Sequence, residues 1–241
     1  MKFRICTFAG LFLIQLSSFS QVSIPTNATS FDILSRNPGW SSTNGRTYSG
    51  EKYADVISGS AYFKDDWMRG TFIVPGGPAQ TGFVVRMDLL GNKVHFISEK
   101  GEEMEATMQI KEVFLEDTVS GGKYRFIHSN FISNDAIKPD HGWYEVLQDG
   151  KATLFKKYKK EMEETKPDYG TTTTHSKITT SERYYILNDK RLQVIKKLND
   201  IYLVFFDKKA ELEDFIDKNK LKGREDDYIK IVAQYNLLSG K

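Results

Sequence analysis

The first residues in this chain that could do chemistry are a pair of adjacent carboxylates. Asp65 and Asp66 stand beside Trp67 in "GSAYFKDDWMRGTFIV", residues 59–74, just before a strand-like run. Two carboxylates that are buried together can split their pKa values and serve as an acid and a base. Neighbours on a strand, however, point to opposite faces, and on a turn both point to water. The pattern therefore favours a structural role, in which the pair shapes the start of a strand.

A second group lies in "KPDHGWYE", residues 138–145, and is the better candidate for a binding site. Its polar and aromatic members are Asp140, His141, Trp143 and Tyr144. An Asp–His pair can orient an imidazole as a base, and a tryptophan can stack on a sugar ring. The alternative, which we favour, is a proline–glycine turn followed by a strand whose tryptophan belongs to the core. We predict these four residues as weak ligand-binding candidates and predict no catalytic residue.

Motifs for metal, cofactor or covalent chemistry are missing from the sequence. The histidines share no metal-ligand spacing, and they are His95, His128, His141 and His175. No metalloprotease, serine-hydrolase, phosphate-loop or dinucleotide-binding motif occurs. The single cysteine, Cys6, lies in the N-terminal segment. We therefore predict a non-enzymatic protein without metal or cofactor, and a hydrolase using His141 with Asp140 is the least favoured alternative.

Aromatic residues are abundant, with 12 Tyr, 16 Phe and 3 Trp. In a barrel-like sheet such residues can line a cavity for a small apolar ligand, which makes a carrier the second hypothesis. They are also the residues that strands use for ordinary packing, and packing is the simpler interpretation.

The first twenty residues have the pattern of an export signal. Lys2 and Arg4 precede an apolar run at 5–16, and small residues follow before Gln21. The run is shorter than the roughly 20 residues that span a bilayer, so we expect cleavage near residue 20 and no integral membrane span in the mature chain. The expected location is periplasmic or extracellular. Removal of Lys2 and Arg4 leaves equal numbers of basic and acidic residues, which argues against a nucleic-acid partner.

The rest of the chain is predicted to be mainly β, an antiparallel meander that is curled or barrel-like, with two C-terminal α-helices. Residues 21–57 are polar and turn-rich and are predicted to be an irregular lead-in. Residues 58–206 contain short apolar runs separated by turn signals, of which Asp149-Gly150 is the strongest. The charged and Thr-rich stretch 159–182 is predicted to be an exposed, mobile excursion of a hairpin. The run "IYLVFF", residues 201–206, is predicted to be a central buried strand.

Residues 207–241 are predicted to form a helix pair packed on the sheet. Asp207 can cap the first helix, whose apolar stripe contains Leu212, Phe215 and Ile216. The second helix begins with acidic residues and carries a stripe at helical spacing, formed by Tyr228, Ile231, Val232, Tyr235 and Leu238. The alternative is that these helices bind an envelope protein partner.

Two stretches carry a resemblance to a known family. "SAYFKDDWMRGTFIV" followed by "VRMDLLGNKVHF", and the C-terminal "KKAELEDFIDKNKLKGREDDYIKIVAQYN", resemble a family of exported, uncharacterised proteins of Gram-negative bacteria. The resemblance covers about residues 58–240, although Ala-Tyr-Phe stands where the family pattern has Tyr-Leu. It implies a secreted or envelope-associated protein and carries over no catalytic residue. The leading hypothesis is therefore an exported, non-enzymatic binding or structural protein of the bacterial envelope.

Overall fold

The computed structural model describes residues 45–132, 139–165 and 175–240. The predicted export signal and the first part of the lead-in, up to residue 44, lie outside these ranges. The strands are β1 (Gly45–Thr47), β2 (Val56–Ser58), β3 (Met68–Ile73), β4 (Ala79–Asp88), β5 (Lys93–Ile97), β6 (Glu103–Ala106), β7 (Glu112–Glu116), β8 (Lys123–His128), β9 (Trp143–Gln148), β10 (Ala152–Thr165), β11 (His175–Asn188) and β12 (Arg191–Ile195). The helices are α1 (Ile201–Val204), α2 (Lys209–Asn219) and α3 (Glu225–Ser239). The predicted class, mainly β with helices at the C-terminus, is confirmed.

The described strands form one twelve-stranded sheet. Its order is β1-β6-β5-β4-β3-β7-β8-β9-β10-β11-β12, and neighbours along this path are antiparallel. Strand β2 lies off the path and pairs in parallel with β11. The end strands β1 and β12 do not pair with each other in the described ranges, so the sheet is open there.

The connection between β1 and β2 forces this open sheet to curl. Strand β1 is at one end of the sheet, whereas β2 pairs with the last strand but one at the other end. In a flat sheet the two would be about 48 Å apart, at the usual spacing between strands. The nine steps from Thr47 to Val56 can span at most about 31 Å. The sheet must therefore bend round until its two ends approach each other.

Two apolar cores lie on the same face of the sheet, one inside the curl and one under the helices. The first core contains phenylalanines from several strands, and Phe72 and Phe83 stack with ring centroids 4.6 Å apart. The second core joins β10, β11 and β12 to the helices, and Phe205 stacks on Tyr235 at 3.8 Å. Most of the predicted stripe residues of α2 and α3 are buried in it, where α3 packs on β9 and β10 and α2 packs on α3.

The prediction of a buried strand at residues 201–206 is wrong. The segment begins with the helical turn α1, in which Ile201 and Val204 are buried and Leu203 is 73% exposed. Phe205 is also buried, and Phe206 is 78% exposed. Positions 201, 204 and 205 follow the spacing of one helix face, so the continuous apolar run concealed a helical period.

The predicted excursion at 159–182 is instead two strand arms with a tip that lies outside the described residues. Pairing between β10 and β11 continues in register from Ala152–Asn188 to Thr165–His175. Threonine is β-branched and suits an extended strand, as Thr179 and Thr180 show in β11, and the run of threonines at 171–174 lies outside the described residues. The lead-in likewise contains regular structure from residue 45 onward, since β1 and β2 lie within it.

The predicted cap of the first helix is also wrong. Asp207 belongs to a short 3₁₀ turn, and Lys208 occupies the N-cap of α2 without a side-chain hydrogen bond to it. At the second helix the prediction of an acidic first turn is confirmed, and the Asp227 carboxylate accepts hydrogen bonds from the backbone N–H groups of Lys222 and Arg224.

Candidate functional site

The loop before β9 is held rigidly by hydrogen bonds to its main chain. The Lys157 ammonium on β10 donates to the carbonyl oxygens of Asp140 and His141, at 2.7 and 2.9 Å. The Tyr144 hydroxyl donates to the same Asp140 oxygen at 3.1 Å. Burial is the main cause that lowers the pKa of Lys157 to about 8, and the Asp140 charge opposes it. This lysine therefore fixes the loop and is itself largely enclosed.

The four residues predicted from this loop do not converge on one site. Asp140 and His141 are exposed, whereas Trp143 and Tyr144 are buried. The two aromatic residues point to opposite faces of β9, Trp143 into the core inside the curl and Tyr144 towards Tyr185. The described structure has no hydrogen bond between the Asp140 carboxylate and the His141 imidazole, so an oriented Asp–His base is not formed.

The His141 ring lies beside a second histidine. It meets the His128 ring edge-on at 5.0 Å, and His128 meets Trp143 at the same distance. Burial, with His141 and Lys157 nearby, lowers the pKa of His128 to about 4. Its Nδ1 accepts a hydrogen bond from the backbone N–H of Asn130. The His128 imidazole is therefore neutral at pH 7 and packs between His141 and Trp143.

The acidic pair at the start of β3 has a structural role. Asp65 and Asp66 are exposed, and the Ser60 hydroxyl donates to the Asp65 carboxylate. The neighbouring Trp67 ring stacks under the Arg86 guanidinium, 4.6 Å from its carbon. At Gly70 the pairing with β4 shifts register, and a Cβ there would come within 2.2 Å of Val85. These contacts explain the stretch without chemistry.

The arrangement most suited to binding lies at the outer edge of β11, where β12 ends. A cavity of about 660 Å³, which we call the edge trough, opens there. Its aromatic lining consists of Tyr184, Tyr185 and Tyr228. Its apolar lining includes Leu192, Val194 and Ile195. Its charged lining consists of Asp140, Glu182, Arg183 and Lys196, and Asp140 is the one predicted site residue that it contains.

The same edge of β11 carries a stretch of backbone without a neighbouring strand. Strand β12 pairs with Tyr184 to Asn188, and β2 pairs with Ser176 and Lys177. Gly59 packs against the Ile178 carbonyl, where a Cβ would come within 1.9 Å. Residues 179–183, which we call the free edge, have no strand partner on this side within the described ranges. The free edge is mostly exposed and leads directly into the edge trough.

A polar cluster, here called the lysine cluster, adjoins the trough; Lys156 is buried, whereas the side chains of Glu182 and Glu225 are 44% and 36% exposed. The Lys156 ammonium bridges the carboxylates of Glu182 and Glu225, at 2.9 and 2.7 Å. The hydroxyl of Tyr184 donates to Glu225 at 2.9 Å, and that of Tyr158 donates to Glu145 at 2.7 Å. Burial raises the pKa of Glu145. The charge of the exposed Glu182 is thus compensated by Lys156.

The two cations of the trough, unlike Glu182, have no partner of opposite charge in an ion pair within the described residues. In the described residues neither Arg183 nor Lys196 has a carboxylate within ion-pair distance. Both side chains are exposed. Neither cation is held in an ion pair, so both can contact a ligand, but the Arg183 charge also acts on Glu161 and Tyr185 and the Lys196 charge acts on Asp200. The Asp140 charge acts on Lys157 and Tyr185 inside the loop.

A second buried polar cluster, here called the histidine cluster, lies under the segment that joins β1 to β3. The fully buried His95 has its Nδ1 2.8 Å from a Glu103 oxygen that also accepts from Arg86 at 2.8 Å. Tyr48 and Tyr62 pack on the imidazole, with ring centroids 4.3 and 5.8 Å away. The His95 Nε2 and the Arg86 Nε have no hydrogen-bond partner in the described structure. The cluster is enclosed by protein and offers no open cavity of its own.

The sequence did not reveal the trough because its walls come from distant parts of the chain. Arg183, Lys196 and Tyr228 belong to β11, the end of β12 and α3, and no local motif relates them. One signal was present in the strand pattern. Lys156 is two residues from Leu154 and therefore shares its inward face, which identifies a buried lysine.

The described residues show neither a metal-binding cluster nor a membrane-spanning helix. In the described residues no group of three histidine, cysteine, aspartate or glutamate side chains is placed to hold a metal ion. No helix of the described ranges has the length and apolar character needed to cross a membrane. No family model, curated protein or solved structure matches the chain. The resemblance to exported bacterial proteins therefore stays a prediction.

Proposed function

We propose that the chain is a non-enzymatic binding protein of the bacterial envelope or exterior, and that its ligand site is the edge trough. The observation that carries this proposal is the combination, at one place, of a 660 Å³ cavity, three tyrosines and two exposed cations that form no ion pair within the described residues. Binding sites are typically concave, largely apolar and aromatic, with a few polar groups that orient the ligand. The export-type segment at residues 1–20 supports the location.

The two alternative functions have less support. A carrier would hold its ligand among the aromatic rings inside the curl, but Phe72, Phe83 and Phe96 pack on one another there. A hydrolase would need His141 oriented by Asp140, and these side chains are not joined in the described structure. The trough is the better hypothesis because its aromatic side chains border open space.

The proposal is tested by mapping where small probes bind on the full chain. The probes are N-acetyl-leucinamide, N-acetyl-tyrosinamide and N-acetylglucosamine. Their binding is followed by the changes that they cause in the amide chemical shifts of the protein in NMR spectra. We expect at least one probe to shift the resonances of Tyr184, Tyr185 and Tyr228. The variant Val194→Lys, which places a long side chain in the trough, should abolish these shifts.

The matched control is Val119→Lys, because Val119 is 92% exposed and does not line the trough. This control should bind the probes as the unmodified protein does. Shifts confined to the rings inside the curl would overturn the proposal in favour of a carrier. Absence of shifts with all three probes would also overturn it.

A further inference from the structure

We infer that the ligand of the edge trough is an extended, acidic peptide segment of a partner protein, which pairs with the free edge of β11 between β2 and β12. This inference rests on the proposed function and names its ligand. The first support is the backbone itself. A strand edge presents N–H and C=O groups that a peptide can satisfy by adding a strand.

The free edge has a defined length because both of its ends are occupied. Strand β2 and Gly59 cover residues 176–178, and β12 covers the edge from Tyr184 onward. The five residues between them span about 17 Å, which suits a peptide strand of about five residues. The peptide would thus complete a row of strands along β11.

The free edge is also held in a fixed position. On its inner side β11 pairs with β10 in register over its whole length. The Lys160 ammonium ties this pair to the Ser60 carbonyl at 2.8 Å. A peptide would therefore meet a preorganised edge, and less conformational entropy is lost on binding when one partner is already ordered.

The trough gives such a peptide a place for a side chain. Side chains of an added strand alternate between the two faces of the sheet, so one that stands beside Glu182 or Arg183, which both line the trough, reaches it. The apolar and aromatic lining there fits a leucine, valine or phenylalanine. Strand addition commonly takes affinity from the backbone and specificity from such pockets.

The charge of the site points to an acidic peptide. Lys196 follows the last paired residue of β12, so it stands close to Arg183 across the gap between the strands. Both cations lack a carboxylate partner in the described residues, and a glutamate or aspartate of the peptide would supply one.

A second copy of this chain satisfies these features less well. If two free edges paired antiparallel about Ser181, Arg183 of each copy would lie opposite Thr179 of the other. Neither Arg183 nor Lys196 would then gain a carboxylate directly across the pair. The partner is therefore a different protein segment with its own acidic residues.

The test uses the full chain and a synthetic pool of acetylated, amidated hexapeptides. Each peptide has glutamate at positions 1 and 5, leucine, valine or phenylalanine at position 3, and threonine or serine elsewhere. Binding is measured by isothermal titration calorimetry up to about 1 mM peptide, a concentration at which weak strand addition is detectable. The best binder is then resynthesised with N-methyl groups on alternate amides, in both possible registers.

We expect one N-methylated register to bind at least about tenfold more weakly, because it lacks the hydrogen atoms that pair with the edge. Arg183→Glu should weaken binding by a similar factor. The control Arg191→Glu changes the same residue type on β12, away from the trough lining, and should bind normally.

The outcomes separate this inference from the proposed function. If the small probes bind the trough but no peptide binds, or both N-methylated registers bind undiminished, the peptide inference is overturned and the binding function stands. If neither probes nor peptides bind, both are overturned. Sedimentation that shows a dimer, broken by Arg183→Glu, would overturn the inference in favour of self-association.

Discussion

The lysine cluster and the histidine cluster both contain a buried cationic or imidazole side chain in the same sheet, but their buried polar atoms are satisfied to different degrees. The lysine cluster leaves no buried side-chain atom without a hydrogen-bond partner in the described structure, whereas His95 and Arg86 each leave one buried nitrogen unpartnered. The lysine cluster joins β9, β10 and β11 to α3. The histidine cluster lies between the sheet and the segment that joins β1 to β3.

This difference relates to what each cluster must position. A fully satisfied polar network defines a single arrangement of the elements that share it. The bonds of Lys156 to Glu182 and Glu225 therefore fix where α3 begins on the sheet, and with it the side of the trough that Tyr228 forms. In the histidine cluster the rings of Tyr48 and Tyr62 pack on the imidazole, and the two unpartnered nitrogens reduce what the cluster contributes to stability.

The largest expected effect comes from removing the helices, since this breaks the lysine cluster and leaves the residues of the histidine cluster in place. Truncation after Phe206 exposes the second core and deletes Leu212, Ile231 and Tyr235. Each such side chain contributes about 1.5–3 kcal/mol through burial. The two helices contain six such buried side chains, and their summed loss of about 9–18 kcal/mol is as large as a typical total stability of about 5–15 kcal/mol.

We therefore expect the truncated chain to lose cooperative unfolding in urea. Far-UV circular dichroism as a function of urea concentration measures this. A truncated chain that unfolds cooperatively at the original urea concentration would contradict this expectation. The helices would then be free to serve as the partner surface suggested by their sequence.

The next largest effect is expected from Lys156→Met, which removes the cation that the glutamates of the lysine cluster share. Lys156 is buried but its two glutamate partners are 44% and 36% exposed, so the loss is smaller than for a fully buried ion pair. We expect the free energy of unfolding to fall by about 2.5 kcal/mol. Urea unfolding at pH 7 measures it. Lys159→Met is the control, because Lys159 pairs with Glu161 on the exposed surface, and it should change stability by less than about 0.5 kcal/mol. Equal losses in both variants would show that the cluster is not stabilising.

Smaller effects are expected in the histidine cluster. Glu103→Ala removes the acceptor shared by His95 and Arg86 and should cost about 2 kcal/mol. His95→Phe loses one bond to Glu103 but also removes a nitrogen that has no partner, so it should cost about 1 kcal/mol or less. Urea unfolding of both variants compares them. A loss for His95→Phe as large as that for Lys156→Met would mean that the two clusters are equivalent.

The smallest effect is a pH response of the lysine cluster. Burial raises the pKa of Glu145 in the folded state, so its protonated form is favoured by folding. Its contribution to stability is fully present below the unfolded pKa and is lost as pH rises through the folded pKa. Glu145→Gln should therefore destabilise the protein more at pH 5 than at pH 7. The exposed Glu99→Gln is the control and should show no such difference in urea unfolding, whereas a larger cost at pH 7 would contradict the sign.

Much of the fold followed from local patterns, because turns and helices are determined by neighbouring residues. The Asp149-Gly150 turn joins β9 to β10, and Asp189 adopts the positive φ of the next hairpin. The helical stripes were equally clear. The parallel pairing of β2 with β11 could not be predicted, because its residues have no period or turn that relates them.

The candidate site was harder to predict than the fold for the same reason. Trp143 and Tyr144 were grouped as neighbours in sequence, yet adjacent residues of a strand face opposite ways. The trough depends instead on the separate ends of β12 and the 139–140 loop meeting at one edge.

The pairing of Val56 with Ser176 has a consequence for how this protein folds. A contact between residues so far apart in the chain raises the contact order, and sheets dominated by such contacts fold in milliseconds to seconds. During synthesis β2 leaves the ribosome long before β11 exists, so its hydrogen bonds must wait for most of the chain. Closure of the curl is therefore expected to be a late and rate-limiting event, and a chain that emerges from a translocation channel would complete it only after nearly all of its length has passed.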